Sequence, residues 1–254
     1  MKRIESAQNA LVKHWKKLVT TRKERDQSKE FLVEGFHLVQ EALKNDGIIL
    51  ALITREGVEI PQGWAIEGVK LIEITEAIAK DISETGQSQG IYAHCRQPEQ
   101  AEEDYASWKK LLMIDAVQDP GNVGTMIRTA DAAGMDAVIL GVGTADSFNP
   151  KTVRSAQGSH FNIPIVKGDL IEWTTRLKES GIQVLGTGLK DAVNHSDVWP
   201  QAEFALIVGN EGSGVNPELL EMTDNIVKIP MYGKAESLNV AVATGILLYT
   251  YSKL

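Results

Sequence analysis

The chain has 254 residues, 43% hydrophobic and 24% charged, with one cysteine and a net charge of −8. That length supports one large domain or two modest ones with their own cores, and the composition excludes global disorder. The single Cys95 excludes an intrachain disulfide framework and a multi-cysteine zinc site, while the longest charge-free apolar run, 237–252, is 16 residues and too short for a membrane span of about 20. The opening MKRIESAQNA has no apolar signal core, so a cytoplasmic protein is expected. The charge is uneven: residues 1–30 hold nine Lys or Arg against four acids, a +5 segment on a body of −13. Such a segment is either a polyanion footprint or a solvated helix face.

In chain order, hydrophobic spacing predicts a basic helix at 9–19, a strand at 31–33 and a helix at 36–43. A buried strand at 48–53, a strand at 71–74, a helix that Thr75 caps and a strand at 91–95 follow. The polar, acidic stretch 97–104 (QPEQAEED) reads as a linker, so the chain divides into a domain at 1–96, a linker at 97–108 and a domain at 109–254. The second domain repeats the alternation, with strands at 111–117, 137–140, 184–186, 205–209 and 226–229. Helices are predicted at 123–133, 169–180, 217–222 and 238–251. The run ALIV at 205–208 is apolar throughout, as a parallel strand covered on both faces should be. The pattern is that of an open α/β sheet, where ligands bind at the carboxyl ends of the strands.

Three segments follow strands and break the plain pattern. In DPGNVGTMIR, Pro120 and Gly121 form a turn, Asn122 is placed to cap the helix, and Arg128 follows about a turn and a half later. The bland alternative is a capped helix with one exposed arginine. GNEGSGV, directly after ALIV, has three glycines in six residues and Glu211 among them; it is either a tight turn or a backbone that lets a ligand approach closely. In IPMYGKAESLN, Ser237 is placed to cap the last helix, with Asn239 at the start of a helix that is apolar nearly all round. Such a helix requires cover on most sides, from the fold or from a second copy of the chain.

Together, DPGNVGTMIRTADAAG, LIVGNEGSGV and IPMYGKAESLNVAVATGILLY resemble the three motifs of the SpoU/TrmH class of RNA ribose 2′-O-methyltransferases, in the SPOUT superfamily. Residues 1–95, with FLVEGFHLVQEAL, resemble the substrate-binding domain that precedes the catalytic domain in rRNA-modifying members, with a fold shared with RNA-binding ribosomal proteins. The resemblance implies a deep C-terminal trefoil knot, which connectivity rules make very rare, and a homodimer packed there. It implies S-adenosylmethionine as cofactor, with Thr187, Gly188, Gly209, Ile229, Met231 and Leu238 around it. Asn122, Arg128, Glu211, Ser237 and Asn239 match the family's functional polar positions: Arg128 for the target phosphate or hydroxyl, Glu211 and Asn122 for orienting it, Ser237 and Asn239 for the ribose. Lys13, Lys16, Lys17, Arg22 and Lys23 are the expected RNA contacts.

The implied substrate is structured RNA, with 23S rRNA favoured over tRNA because of the extra N-terminal domain. No metal is expected. A nicotinamide-dependent oxidoreductase is disfavoured because no GxGxxG joins a strand to a helix, and a non-catalytic RNA-binding module is disfavoured because the polar motif residues are intact. His14, His37, His94, His160 and His195 fall outside the motifs and read as structural. Trp15, beside Lys13, Lys16 and Lys17, stays open as a base-stacking platform.

Overall fold

A computed structural model describes residues 2–84, 86, 88–99, 102–199 and 202–252. The chain forms two compact units: Met1–Glu99 with Phe148–Phe161, and Gln100–Ser147 with Asn162–Leu254. The linear division by sequence keeps 148–161 with the second domain; the structure groups it with the first. No helix among the described residues is long and apolar enough to cross a membrane.

The first unit runs β1 (Lys2–Ile4), α1 (Ala10–Thr20), α2 (Arg22–Ser28), β2 (Glu30–Glu34), α3 (Phe36–Leu43), β3 (Ile49–Arg55), β4 (Leu71–Ile74), α4 (Glu76–Ile82) and β5 (Ile91–Arg96). Its sheet has the order β1-β4-β3-β5-β2, with β5 antiparallel to both β3 and β2. Period-two alternation sorts the strands onto two faces. Leu32, Ile53 and Tyr92 meet Val12, Trp15 and Leu18 of α1 and Ile78 and Ile82 of α4. Phe31, Val33, Leu52, Ala93 and Cys95 meet Leu38 and Val39 of α3, joined by Phe148 and Val153 from the helical segment that completes this unit. Phe31 and Phe148 lie with ring centroids 4.8 Å apart.

Asn9 caps α1 by accepting from the Leu11 N–H at 3.0 Å, and Thr75 caps α4 as its sequence position suggested. Trp15 is fully buried, so it is a core residue and not a stacking platform. The α2 helix went unread because its sequence, RKERDQS, offers no apolar stripe; Lys29 ends it in the left-handed region at φ 56°.

The second unit runs β6 (Lys110–Ile114), α5 (Pro120–Ala132), β7 (Ala137–Leu140), then, past the first-unit helix α6 (Pro150–Ala156), β8 (Ile165–Lys167), α7 (Leu170–Glu179), β9 (Gln183–Thr187), β10 (Val193–Asn194), β11 (Phe204–Val208), α8 (Pro217–Met222), β12 (Asn225–Lys228) and α9 (Val240–Tyr251). The sheet order is β10-β12-β9-β11-β6-β7-β8, and every pairing is parallel. Leu111, Met113, Ile139, Val184, Ala205 and Ile207 form one buried face with Trp173 and Leu177 of α7 and Leu219 of α8.

Part of the stretch read as a linker, 97–108, takes up local structure. Glu102–Ser107 is a short 3-10 helix, and Tyr105 and Trp108 pack on Trp173 with centroids 4.7–6.2 Å apart among the three rings. Gln100 and Ala101 of that linker lie outside the described residues.

A candidate active site at the strand ends of the second unit

Because the sheet is parallel, the loops after β12, β9, β11 and β6 leave from one edge, side by side. Those loops carry Ile229, Thr187 with Gly188, Gly209, and the segment 115–122, so four stretches distant in sequence share one end of the sheet. Glycine is obligatory at 209: a Cβ there would sit 2.2 Å from the backbone of Gly214 and Val215. Beyond it the loop folds back, with Asn210 and Gly214 exchanging backbone hydrogen bonds of 3.0 Å in both directions.

Asn210 fastens this loop to the end of β6. Its Nδ2 donates to the Ala116 carbonyl at 2.8 Å, while its Oδ1 accepts from the Gly212 and Ser213 N–H groups at 2.9 and 3.1 Å. Ala116 is held at φ 53°, and its N–H donates to Thr144 Oγ1 at 3.1 Å. That positive φ ends β6 at Ile114, short of the strand predicted at 111–117. Asp115 closes the loop's far side by accepting from the Asn216 N–H at 2.7 Å.

Three of the five polar motif residues, Glu211, Asn122 and Asn239, form one hydrogen-bonded chain. Glu211 accepts from the backbone N–H groups of Gln118 and Asp119, both at 3.3 Å, and from Asn122 Nδ2 at 3.0 Å. Asn122 Oδ1 in turn accepts from Asn239 Nδ2 at 2.9 Å. Asn239 Oδ1 accepts from the N–H groups of Ala241 and Val242 at 3.0 and 3.3 Å. Partial burial pushes the Glu211 carboxyl up, but the donors from Asn122 and the backbone outweigh it and hold the group below the usual carboxylate range. At neutral pH Glu211 is therefore an anion with its oxygens already engaged, an organiser of the loop and not a proton donor.

Two caps differ from expectation. Asp119, not Asn122, caps α5, accepting from the Asn122 N–H at 2.9 Å with Pro120 in the first turn. Proline needs no N–H partner there, so the helix starts three residues earlier than predicted. At α9 the cap is Asn239, not Ser237. Both corrections release a side chain: Asn122 is free to bridge Glu211 and Asn239, and Ser237 stands exposed with no hydrogen bond among the described residues. Arg128 is exposed on α5 and has no ion pair among the described residues. Met231 and Leu238 are also exposed, Thr187 and Gly188 half-buried, Gly209 buried. Sequence reasoning missed Asn210 and Asp119; an amide beside the loop glutamate and an acid directly before proline were the available signals.

In the first unit, Lys13, Lys17, Arg22 and Lys23 are exposed and Lys16 is half-buried. Lys16 pairs with Asp81 at 2.9 Å, Lys17 with Glu24 at 3.7 Å and Arg22 with Asp26 at 3.4 Å. Lys13 and Lys23 make no ion pair among the described residues.

A parallel α/β sheet with three strand-end motifs tied into one polar chain defines a loop-built enzyme site. Residues 109–249 match the SpoU rRNA methylase family, and residues 9–93 match the MRM3-like substrate-binding domain. The chain belongs to the SpoU rRNA methylase family, a family of enzymes. It is 53% identical over 250 residues, 98% of each chain, to the 23S rRNA (guanosine(2553)-2′-O)-methyltransferase RlmP of Bacillus subtilis. It is 30% identical to the 23S rRNA (uridine(2479)-2′-O)-methyltransferase of Streptomyces viridochromogenes, covering 96% of this chain and 90% of that one. The crystal structure of the AdoMet-bound rRNA methyltransferase from Sinorhizobium meliloti superimposes with a TM-score of 0.86 at 32% identity, covering 98% of this chain and 96% of that one.

Proposed function

We propose that the protein moves the methyl group of S-adenosylmethionine to a ribose 2′-hydroxyl of 23S rRNA, at the guanosine that RlmP's name gives as 2553. The observation that carries the reading is the chain Glu211–Asn122–Asn239, which joins the three motifs, with Arg128 exposed on the same helix as Asn122. The likeness to RlmP over nearly the whole length of both chains supports the choice of RNA and nucleotide.

In the transfer, an O–C bond forms as the S–C bond of the sulfonium breaks, the sulfur leaving as a neutral thioether and the hydroxyl proton passing to solvent. The sulfonium already activates the methyl group, so the protein's tasks are alignment and stabilisation of the developing alkoxide. Arg128 grips the neighbouring phosphate and the oxygen as it gains charge. Asn122 and Glu211 fix the loop geometry, and Ser237 and Asn239 hold the ribose. The strand-end backbone at Thr187, Gly188, Gly209 and Ile229, with Met231 and Leu238, lines the cofactor pocket. Lys13, Lys16, Lys17, Arg22 and Lys23 contact RNA phosphates, with 1–96 acting as the RNA-binding part and 109–254 as the catalytic part.

The reading includes a cytoplasmic homodimer built on a C-terminal trefoil knot. Supporting the dimer, Val242, Ile246 and Tyr249 form an exposed stripe on α9 at 53%, 37% and 51%, close in sequence to exposed Met231, Tyr232 and Leu238. Supporting the knot, β12 lies between β9 and β10, and α9 packs on α5 and β11.

The test is transfer of labelled methyl groups from S-adenosylmethionine to 23S rRNA fragments, followed by mapping of the modified ribose. Incorporation at the equivalent guanosine, abolished by a 2′-deoxy substitution there, is the expected result. Transfer to tRNA alone, or none, overturns the assignment.

A further inference from the structure

Period-two alternation on β5 places His94 on the same face as Tyr92, under α1, where it meets His14 and Trp15. The His14 and His94 Nε2 atoms both contact one oxygen of Glu30, at 2.6 and 2.8 Å, although the three residues come from α1, β2 and β5. One ligand atom from each lies within 4.8 Å of the others. On the far side of the His14 ring, Nδ1 donates to Glu24 at 2.9 Å. His94 is buried, whereas the side chains of His14, Glu24 and Glu30 are about one-quarter exposed at 23–25%.

We propose that His14, Glu30 and His94 form a binding site for one divalent transition-metal ion of the zinc class, with Glu24 as the outer carboxylate that orients His14. Two imidazoles and one carboxylate are the donor set zinc takes, with a solvent molecule completing the tetrahedron. A carboxylate on the remote nitrogen of a metal-binding histidine fixes its tautomer, so Nε2 faces the ion. Donors around a tetrahedral zinc stand about 3.3 Å apart, given metal–ligand distances of about 2.0–2.1 Å. Glu30 must therefore retreat by roughly 0.5–0.7 Å, which its partial exposure permits, and the two Nε2 atoms, within 4.8 Å of each other, must settle at the same spacing.

The dication would balance the charges of Glu24 and Glu30. The site would clamp α1, which carries Lys13, Lys16 and Lys17, to β2 and β5. It is separate from the methyl-transfer residues, which all belong to the second unit.

The test uses the full chain without a histidine tag, stripped with chelator and titrated with zinc chloride by calorimetry. One zinc per chain with a dissociation constant of micromolar or tighter is expected. Glu24→Gln should weaken it roughly tenfold or more, and His14→Gln further. X-ray absorption of the zinc-loaded wild type should show two imidazoles in the first shell, a readout that needs no variant to fold. Absence of zinc binding, binding unchanged in His14→Gln, or a shell with fewer than two imidazoles overturns the proposal.

Discussion

Asn122 uses both ends of its amide: Nδ2 donates to Glu211 and Oδ1 accepts from Asn239. Replacing it with Asp keeps the acceptor but sets a second anion against Glu211, whereas Ala removes both bonds. A hydrogen bond to a charged group contributes about 1.5–3 kcal/mol, so Asn122→Ala should lower kcat/KM for methyl transfer roughly ten- to hundredfold. Asn122→Asp should lower it further, and steady-state kinetics on the same RNA fragment would read the order. Arg128 poses a different question, because it stands exposed without a carboxylate partner among the described residues. A guanidinium resists deprotonation, which favours the proposed role of gripping phosphate and steadying the alkoxide over that of a base. Arg128→Lys loses the bidentate grip, and kcat should stay near zero from about pH 7 to 10 with near-normal cofactor affinity. Recovery as the pH approaches the lysine value of about 10.4 would make the residue a base. The residue types at this site were legible in the sequence; their connections were not. A spacing of 89 residues from Asn122 to Glu211 and 117 from Asn122 to Asn239 carries no local signal.

At the scale of elements, α9 shows what a nearly all-apolar helix can conceal. The sequence demanded cover on most sides without saying which side the fold supplies. Leu247, Leu248 and Tyr251 face the unit's own core, with Leu247 only 1% exposed, whereas Val242, Ile246 and Tyr249 face outward. A charge at Leu247 therefore attacks folding rather than association. Leu247→Ala should cost about 2–5 kcal/mol of stability, read by denaturant melts. Ile246→Glu should leave a folded chain and shift the mass measured by light scattering from dimer to monomer; a dimer that persists would move the interface elsewhere. For α1 and α2 the charge pattern was legible but the pairing was not, since Asp81, Asp26 and Glu24 already engage Lys16, Arg22 and Lys17. Lys13 and Lys23 are the freer cations. Replacing both with Ala should weaken RNA binding across sequences and flatten the salt dependence of log Kd by about two.

At the scale of the whole molecule, each unit holds one tyrosine pushed by burial up to about 12, Tyr92 in the first and Tyr251 in the second. Both phenols stay neutral in the folded state, whereas the unfolded chain ionises them near pH 10. Their stabilisation is intact below about pH 10 and is lost as the pH climbs toward the folded value. Melting temperatures should fall between about pH 10 and 12, and Tyr251→Phe should flatten the fall; an unchanged slope would place the alkaline sensitivity elsewhere. The α/β alternation and most elements of both sheets were readable from periodicity. The membership of Phe148–Phe161 was not, because apolar residues such as Phe148 and Val153 announce that they are buried but not in which core.

That segment makes the chain pass between its two units three times, after Glu99, Ser147 and Phe161. A ribosome releases sequence in one direction only. The first unit's sheet can assemble once Arg96 is out, but the Phe31 side of its core stays open until the residues through Phe161 have followed. At roughly 5–20 residues per second, that interval lasts on the order of 3–13 s, during which a half-closed apolar face is offered to chaperones. Nascent chains stalled before and after release of Phe161 should differ sharply in protease resistance of the first unit, although neither lacks any of its strands.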